Sequence, residues 1–168
     1  MKIGIFYGTT TGNTRKVAQD LQHKLASFGD VELYDVAECG IDPVPDYDLV
    51  VLGTPTWGVG DLQDDWLPHQ SLPDMDLSGK KVALFGLGDQ IRFADTFVDG
   101  MGVLAYAAEE AGAELVGMWP TGEYDFTDSA ALRDGRFVGL ALDMDNEPEL
   151  TDDRLDEWVN QLQEELQA

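Results

Sequence analysis

The run Leu49-Val50-Val51-Leu52-Gly53 has few places to go in a fold. Four bulky apolar residues in a row leave no polar face, so as a strand the run must be covered on both sides. A central strand of a parallel sheet, with helices above and below, meets that demand. Residues 81–86 repeat the theme with Val82, Ala83, Leu84 and Phe85. Shorter strands are expected at 2–7, at 31–36 and at 115–119, with 139–142 as a continuation or neighbour of the last. Helical periodicity marks 13–28 (Val17, Ala18, Leu21, Leu25), stopped at Gly29, and 97–111, closed by Gly112. A final amphipathic helix at 152–166 carries Leu155, Trp158, Val159, Leu162 and Leu166 on one face, with Thr151 or Asp152 as cap. Strands alternating with helices predict an α/β fold, a doubly wound parallel sheet in one domain spanning residues 1–168.

In such sheets ligands sit beyond the carboxyl ends of the strands, near the point where strand order reverses. After the first strand comes Tyr7-Gly8-Thr9-Thr10-Thr11-Gly12-Asn13-Thr14, opening a helix. A strand, a glycine-bearing turn and a helix start aim backbone N–H groups and the positive dipole end at one point, which suits a phosphate. The alternative is a plain polar turn with Thr or Asn as cap. After the third strand comes Thr54-Pro55-Thr56-Trp57-Gly58-Val59-Gly60-Asp61. After the fourth comes Gly88-Asp89-Gln90-Ile91-Arg92-Phe93-Ala94-Asp95. Trp57 and Phe93 either fold back into the core or sandwich a flat ring, stacking being worth about 1 kcal/mol per face beyond area. A phosphate cradle and two ring-bearing loops on one sheet edge describe a site for a phosphorylated planar aromatic, hence flavin mononucleotide (FMN).

The charge balance narrows the partners. With 33 acidic against 10 basic residues, the chain repels nucleic acid and anionic membranes and steers a basic protein inward. A solvated acidic surface, as in salt-adapted proteins, is compatible with the same balance. The lone Cys39 excludes an internal disulfide, and two histidines disfavour a histidine metal centre. The first residues enter a strand directly and no apolar run reaches membrane-spanning length, so a cytoplasmic protein is expected.

At these residues the chain resembles the flavodoxins, specifically their long-chain group, over nearly its whole length. Thr9-Thr10-Thr11-Gly12-Asn13-Thr14 is similar to the family's phosphate loop, Thr54 to Gly60 to its tryptophan loop, and Gly88 to Asp95 to its second flavin loop. Residues 120–138 resemble the fifth-strand insertion of long-chain members. The resemblance implies strand order 2-1-3-4-5 and a non-covalent FMN. It implies a low-potential one-electron carrier cycling between neutral semiquinone and hydroquinone in place of ferredoxin. It implies that Thr9, Thr11 and Thr14 hydroxyls with the loop amides hold the phosphate, that Trp57 stacks on the inner flavin face and that Phe93 covers the outer one. Backbone of Gly58, Val59 and Gly60, and of Asp89 and Gln90, would meet the ring's polar edge, with Asp95 near the flavin or its ribityl chain. A monomer is expected. Its redox partner would be a basic protein such as ferredoxin-NADP reductase, photosystem I or nitrogenase reductase. Phe93 stands where the family usually has tyrosine, and Arg92 where a small or neutral residue is common.

Rival readings remain at this level. A nucleotide-hydrolysing P-loop needs a lysine that Gly12-Asn13-Thr14 lacks. A phosphorylation receiver needs aspartates at strand ends that here read Tyr7-Gly8 and Gly53-Thr54. An FMN-dependent NAD(P)H quinone or azo reductase on the same fold is the alternative. Against it, no acid, base or nucleophile stands out, while Asp61, Asp64, Asp65 and Asp95 suit docking to a basic protein. Trp66, Trp119 and Trp158 read as packing residues. The acids from Asp143 to Asp153 read as a solvated stretch rather than a cation site.

Overall fold

The computed structural model describes residues 1–9, 11–57, 61–69 and 71–167; for 57, 61, 62 and 67–69 it describes the backbone alone. The main sheet contains β1 (Lys2–Tyr7), β2 (Asp30–Asp35), β3 (Leu49–Trp57), β4 (Lys81–Leu87), β5 (Glu114–Val116) and β6 (Leu140–Leu142). These strands are parallel, in the order β2-β1-β3-β4, with β5 and β6 both beside β4. β5 pairs with Lys81 to Ala83 and β6 with Phe85 to Leu87. The two are therefore halves of one fifth strand, split by residues 117–139, and the order 2-1-3-4-5 follows.

The helices are α1 (Asn13–Leu25), the single turn α2 (Val36–Cys39), α3 (Asp99–Glu110) and α4 (Thr151–Gln167). The β1-to-β2 crossover, through α1, runs one way across the sheet, and the β4-to-β5 crossover, through α3, runs the other. Right-handed crossovers then place α1 and α3 on opposite faces. α4 packs beside α1 and against β6, while α3 lies against β3 and β4. Leu49, Val50, Val51 and Leu52 are fully buried between these layers, as are Val82 to Phe85.

Local details depart from the periodicity. α1 ends at Leu25 rather than 28, because Phe28 N–H turns back to the Leu25 carbonyl. Among the described residues between β3 and β4 no α-helix forms; Asp64–His69 and Leu72–Asp74 are 3₁₀ turns. The fifth strand breaks after Val116 because Gly117 takes φ +79°, a left-handed value that glycine accepts without strain. Trp119–Pro120 then joins Arg136–Phe137 and Leu132–Arg133 in a small antiparallel sheet. Phe97, Tyr124, Phe126 and Phe137 interlock with ring centroids 5.1–5.8 Å apart, pinning this insertion to the approach to α3. Trp66, Trp119 and Trp158 are buried as packing residues, each with its indole N–H donated, to Gly53 O, Tyr124 Oη and Gly117 O respectively.

Candidate functional site

The chain reverses direction across the sheet between β1 and β3, and the loops beyond these strand ends meet there. Gly8 donates its N–H to the Gly53 carbonyl at 3.1 Å, tying the first loop to the end of β3. A Cβ on Gly8 would collide with Gln63 and Trp66, so only glycine permits that approach. Thr9 Oγ1 accepts the Gly12 N–H at 3.0 Å, and the Thr9 N–H goes to Asp65 Oδ2 at 3.2 Å. Gly12, at φ +93°, is the N-cap of α1 and supplies no side-chain cap. The first intrahelical bond there runs from Lys16 N–H to Gly12 O, so the N–H groups of residues 13–15 have no helical acceptor. α1 has no acid in its first turn, whereas α2, α3 and α4 have Glu38, Asp99, and Asp152 with Asp153. In so acidic a chain, the one α-helix among the described residues that opens without a carboxylate is the one at the sheet's switch point.

A cleft of about 210 Å³ opens in front of this helix start. Thr11, Asn13 and Thr14 line it from the first loop, Pro55 and Thr56 from the end of β3, and Gly88, Asp89 and Phe93 from the loop after β4. Eight of the sequence-selected residues thus share one cavity. Thr9 and Gly12 line an adjoining depression with Arg15 and Asp65. Thr54 is fully buried beneath the cleft, its hydroxyl bonded to the Pro55 carbonyl. Trp57 ends β3, where its backbone pairs antiparallel with Asp61 and Thr56 pairs with Leu62. Thr10, Gly58, Val59 and Gly60 lie outside the described residues.

Leu87 and Met144 also line the cleft without having been sequence candidates, and so does Asp145, which the sequence reads only as one acid of a solvated stretch. The rule that flagged the other loops would have found Met144 and Asp145, which follow β6, had the split fifth strand been treated as a strand end.

The loop after β4 is a tight turn. Asp89 Oδ1 accepts the N–H groups of Ile91 (3.0 Å) and Arg92 (2.8 Å) and the Asn146 side-chain amide (2.8 Å). Burial opposes ionisation of Asp89, but these donors and the Arg92 charge outweigh it and hold the carboxyl below its ordinary range. Asp145 moves the other way, raised by burial and then by Asp89 and Asp143. Phe93, its N–H on the Asp89 carbonyl, stands at the mouth of the cleft and is 38% exposed. Asp95 is exposed and does not line the cleft.

Two sequence expectations require correction. Gln90 does not present its N–H to the cleft: it is 3% exposed, and that N–H donates to Asp143 Oδ2 at 3.1 Å. Asp143, read as part of a solvated acidic stretch, is fully buried. It accepts from Gln90 N and Nε2, Asn146 N and Nδ2, and Asp145 N, which supply the donors a buried carboxylate demands. The cations nearest the first loop are engaged elsewhere: Arg15 pairs with Asp35 at 3.2 Å and Lys16 with Asp20 at 3.0 Å.

Comparison with known proteins bears on the whole chain. The flavodoxin family profile matches residues 5–158. A flavodoxin of Picosynechococcus sp. is 51% identical over 162 residues, covering 96% of this chain and 95% of its own. Flavodoxin 1 of Escherichia coli is 44% identical, covering 97% of this chain and 93% of its own. The crystal structure of Fusobacterium nucleatum flavodoxin bound to flavin mononucleotide superposes with a TM-score of 0.92 at 31% identity, covering 98% of both chains. The chain belongs to the flavodoxin family.

Proposed function

We propose that this chain is a low-potential one-electron carrier that holds FMN non-covalently. The observation that carries the reading is the convergence, on one cleft, of an acid-free helix start and the exposed Phe93 ring. The donor set fits the cofactor. Thr11, Asn13 and Thr14 with the open N–H groups of the first turn of α1 suit a phosphate dianion without a paired lysine. Phe93 suits the outer ring face, and Trp57 is assigned the inner face by its place in the tryptophan loop. Gly58, Val59 and Gly60 are assigned the ring edge by that motif, glycine tolerating the backbone changes that contact requires. The relative from F. nucleatum binds FMN in the same fold.

When bound, FMN supplies two one-electron steps. The protein supplies the electrostatic setting: a net charge of −23 disfavours adding negative charge to the ring and lowers the second potential. No acid or base is needed for electron transfer, in keeping with a family of carriers rather than enzymes. Exposed acids such as Asp64 and Asp95 suit a basic redox protein, whose association would slow as salt rises. Among the described residues no helix is long and apolar enough to cross a membrane. A cytoplasmic setting and a single FMN-binding domain over residues 1–168 belong to the same proposal.

Stepwise anaerobic reduction of the purified protein tests it. A flavin spectrum passing through two well-separated one-electron steps is the expected result; a colourless protein that does not bind added FMN overturns the reading. Oxidation of NAD(P)H by the protein alone would move it to the reductase class.

A further inference from the structure

We propose that Gln90 is a positioning residue: from behind the cleft it fixes the turn that carries Phe93, and so sets how tightly, and at what second potential, FMN is held. The proposal rests on the FMN reading above but concerns a residue that does not line the cleft.

The Gln90 side chain is spent entirely inside the protein. Its Nε2 donates to Asp143 Oδ2 at 2.8 Å and to Glu147 Oε1, and its Oε1 accepts the Asp125 N–H at 2.6 Å. One amide therefore joins three segments distant in sequence: the turn after β4, the residues after β6, and the insertion. Its backbone N–H doubles the grip on Asp143. Asn146 closes the circuit, donating to both Asp143 and Asp89, the residue that organises the turn. The insertion adds a second clamp four residues on, where the N–H groups of Thr127 and Asp128 both reach the Ala94 carbonyl. Phe93 is thus held on both sides by contacts that lie behind the cleft.

The far end of the network is anchored as firmly. Glu147 also accepts from Arg154 of α4, which is 3% exposed and stacks 4.4 Å from the Tyr124 ring centroid. The Arg154 Nε and Nη1 are buried with no hydrogen-bond partner among the described residues. Glu147 and the Tyr124 ring are therefore what offset that buried charge, and Glu147 is held in place to grip Gln90. A buried polar network of this kind orients its members when every acceptor is filled, and loosens when one donor is lost. Losing the Gln90 amide leaves Asp143 and Glu147 short of donors and removes one of the two ties between the turn and the insertion, leaving the one at Ala94.

The test uses Gln90→Met, which keeps the length and removes the amide, and reads three quantities in the full-length chain. Amide exchange of Arg92 and Phe93 in the apoprotein is expected to accelerate at least tenfold. The FMN dissociation constant is expected to rise at least tenfold. The second reduction potential is expected to become less negative, because a loosened turn admits water to the reduced ring. Lower thermal stability with unchanged exchange, affinity and potential would assign Gln90 a purely structural role and overturn the proposal. If Gln90→Met does not fold, Gln90→Asn, whose shortened amide cannot span Glu147 and Asp125 together, is read against the same three outcomes. Failure of the unaltered protein to bind FMN would instead overturn the functional reading, and the exchange measurement would still decide whether Gln90 fixes the turn.

Discussion

The hydroxyl of Thr56, at the end of β3, accepts the N–H of Gly100 in the first turn of α3 at 3.0 Å. The N-cap of α3 is Val98 in a left-handed conformation (φ 51°), with no side-chain cap. Thr56 therefore satisfies one of the open N–H groups of α3 from across the sheet, in the role a cap residue usually fills. Thr56→Val keeps the shape and removes the acceptor, leaving a buried donor unmet. The expected loss is about 1–3 kcal/mol in urea unfolding of the apoprotein, largely restored by Thr56→Ser.

Asp65 places a carboxylate on the Thr9 N–H and shares a depression with Thr9, Gly12 and Arg15. It stands beside the loop assigned to the phosphate, so it opposes binding of a dianion while ordering the loop that binds it. Asp65→Asn keeps an acceptor for Thr9 and removes the charge. FMN titration at low ionic strength should show severalfold tighter binding, with the gain shrinking toward about 1 M salt, where the screening length falls to roughly 3 Å. Unchanged or weaker binding would mean that ordering the loop outweighs repulsion.

Much of this architecture was legible because burial on both faces leaves a plain mark. Leu49 to Leu52 and Val82 to Phe85 read as central strands, and the structure pairs them, with Val50 beside Val82 and Val51 beside Ala83. The cleft residues were found from the positions that follow such strands. What stayed hidden depends on contacts between distant segments. Gln90 reads as a loop residue until Asp143, Glu147 and Asp125, more than 30 residues away, are brought around it. Asp143 reads as one acid in a run of acids; three of its donors lie within three residues of it, and only the fold adds the two from Gln90. The short fifth strand was misjudged at its end because Gly117 lets the chain turn out of the sheet while the apolar pattern carries on to Trp119.

The Asp89 turn carries a pH dependence of definite sign. Its carboxyl is held below the ordinary range in the folded protein, so its stabilising contribution is complete at neutral pH. That contribution is lost as pH falls below about 4, the ordinary aspartate range, through the folded value. The difference in urea midpoint between the parent and Asp89→Asn should be constant above about pH 5 and shrink below it. Asp145, raised by burial and by Asp89 and Asp143, has the opposite sign: its ionised form is disfavoured on folding. Asp145→Asn is therefore expected to stabilise the protein at neutral pH, and to lose that advantage in acid.

Phe93 keeps an aromatic ring at the mouth of the cleft and lacks the hydroxyl common at this position in the family. Stacking depends on the ring, so Phe93→Tyr should change the FMN dissociation constant by less than tenfold. Phe93→Ala removes about 1 kcal/mol of stacking and the area beneath it, and should weaken binding by well over fivefold. Equal affinities for all three proteins would remove Phe93 from the site.

Arg92 directly precedes Phe93 in the turn, its backbone N–H held by Asp89 and its side chain exposed. A positive charge favours the fully reduced, anionic cofactor and offsets part of the surrounding negative field. For a one-electron step about 1.4 kcal/mol corresponds to ~59 mV. An exposed cation in solvent should supply only a fraction of that, so Arg92→Gly is expected to lower the second potential by a few tens of millivolts at low salt, and by less as salt screens the field. The first potential, which adds no net charge when a proton accompanies the electron, should move little. A second potential that stays fixed or rises in Arg92→Gly would show that the guanidinium points away from the cofactor and serves the docking surface instead.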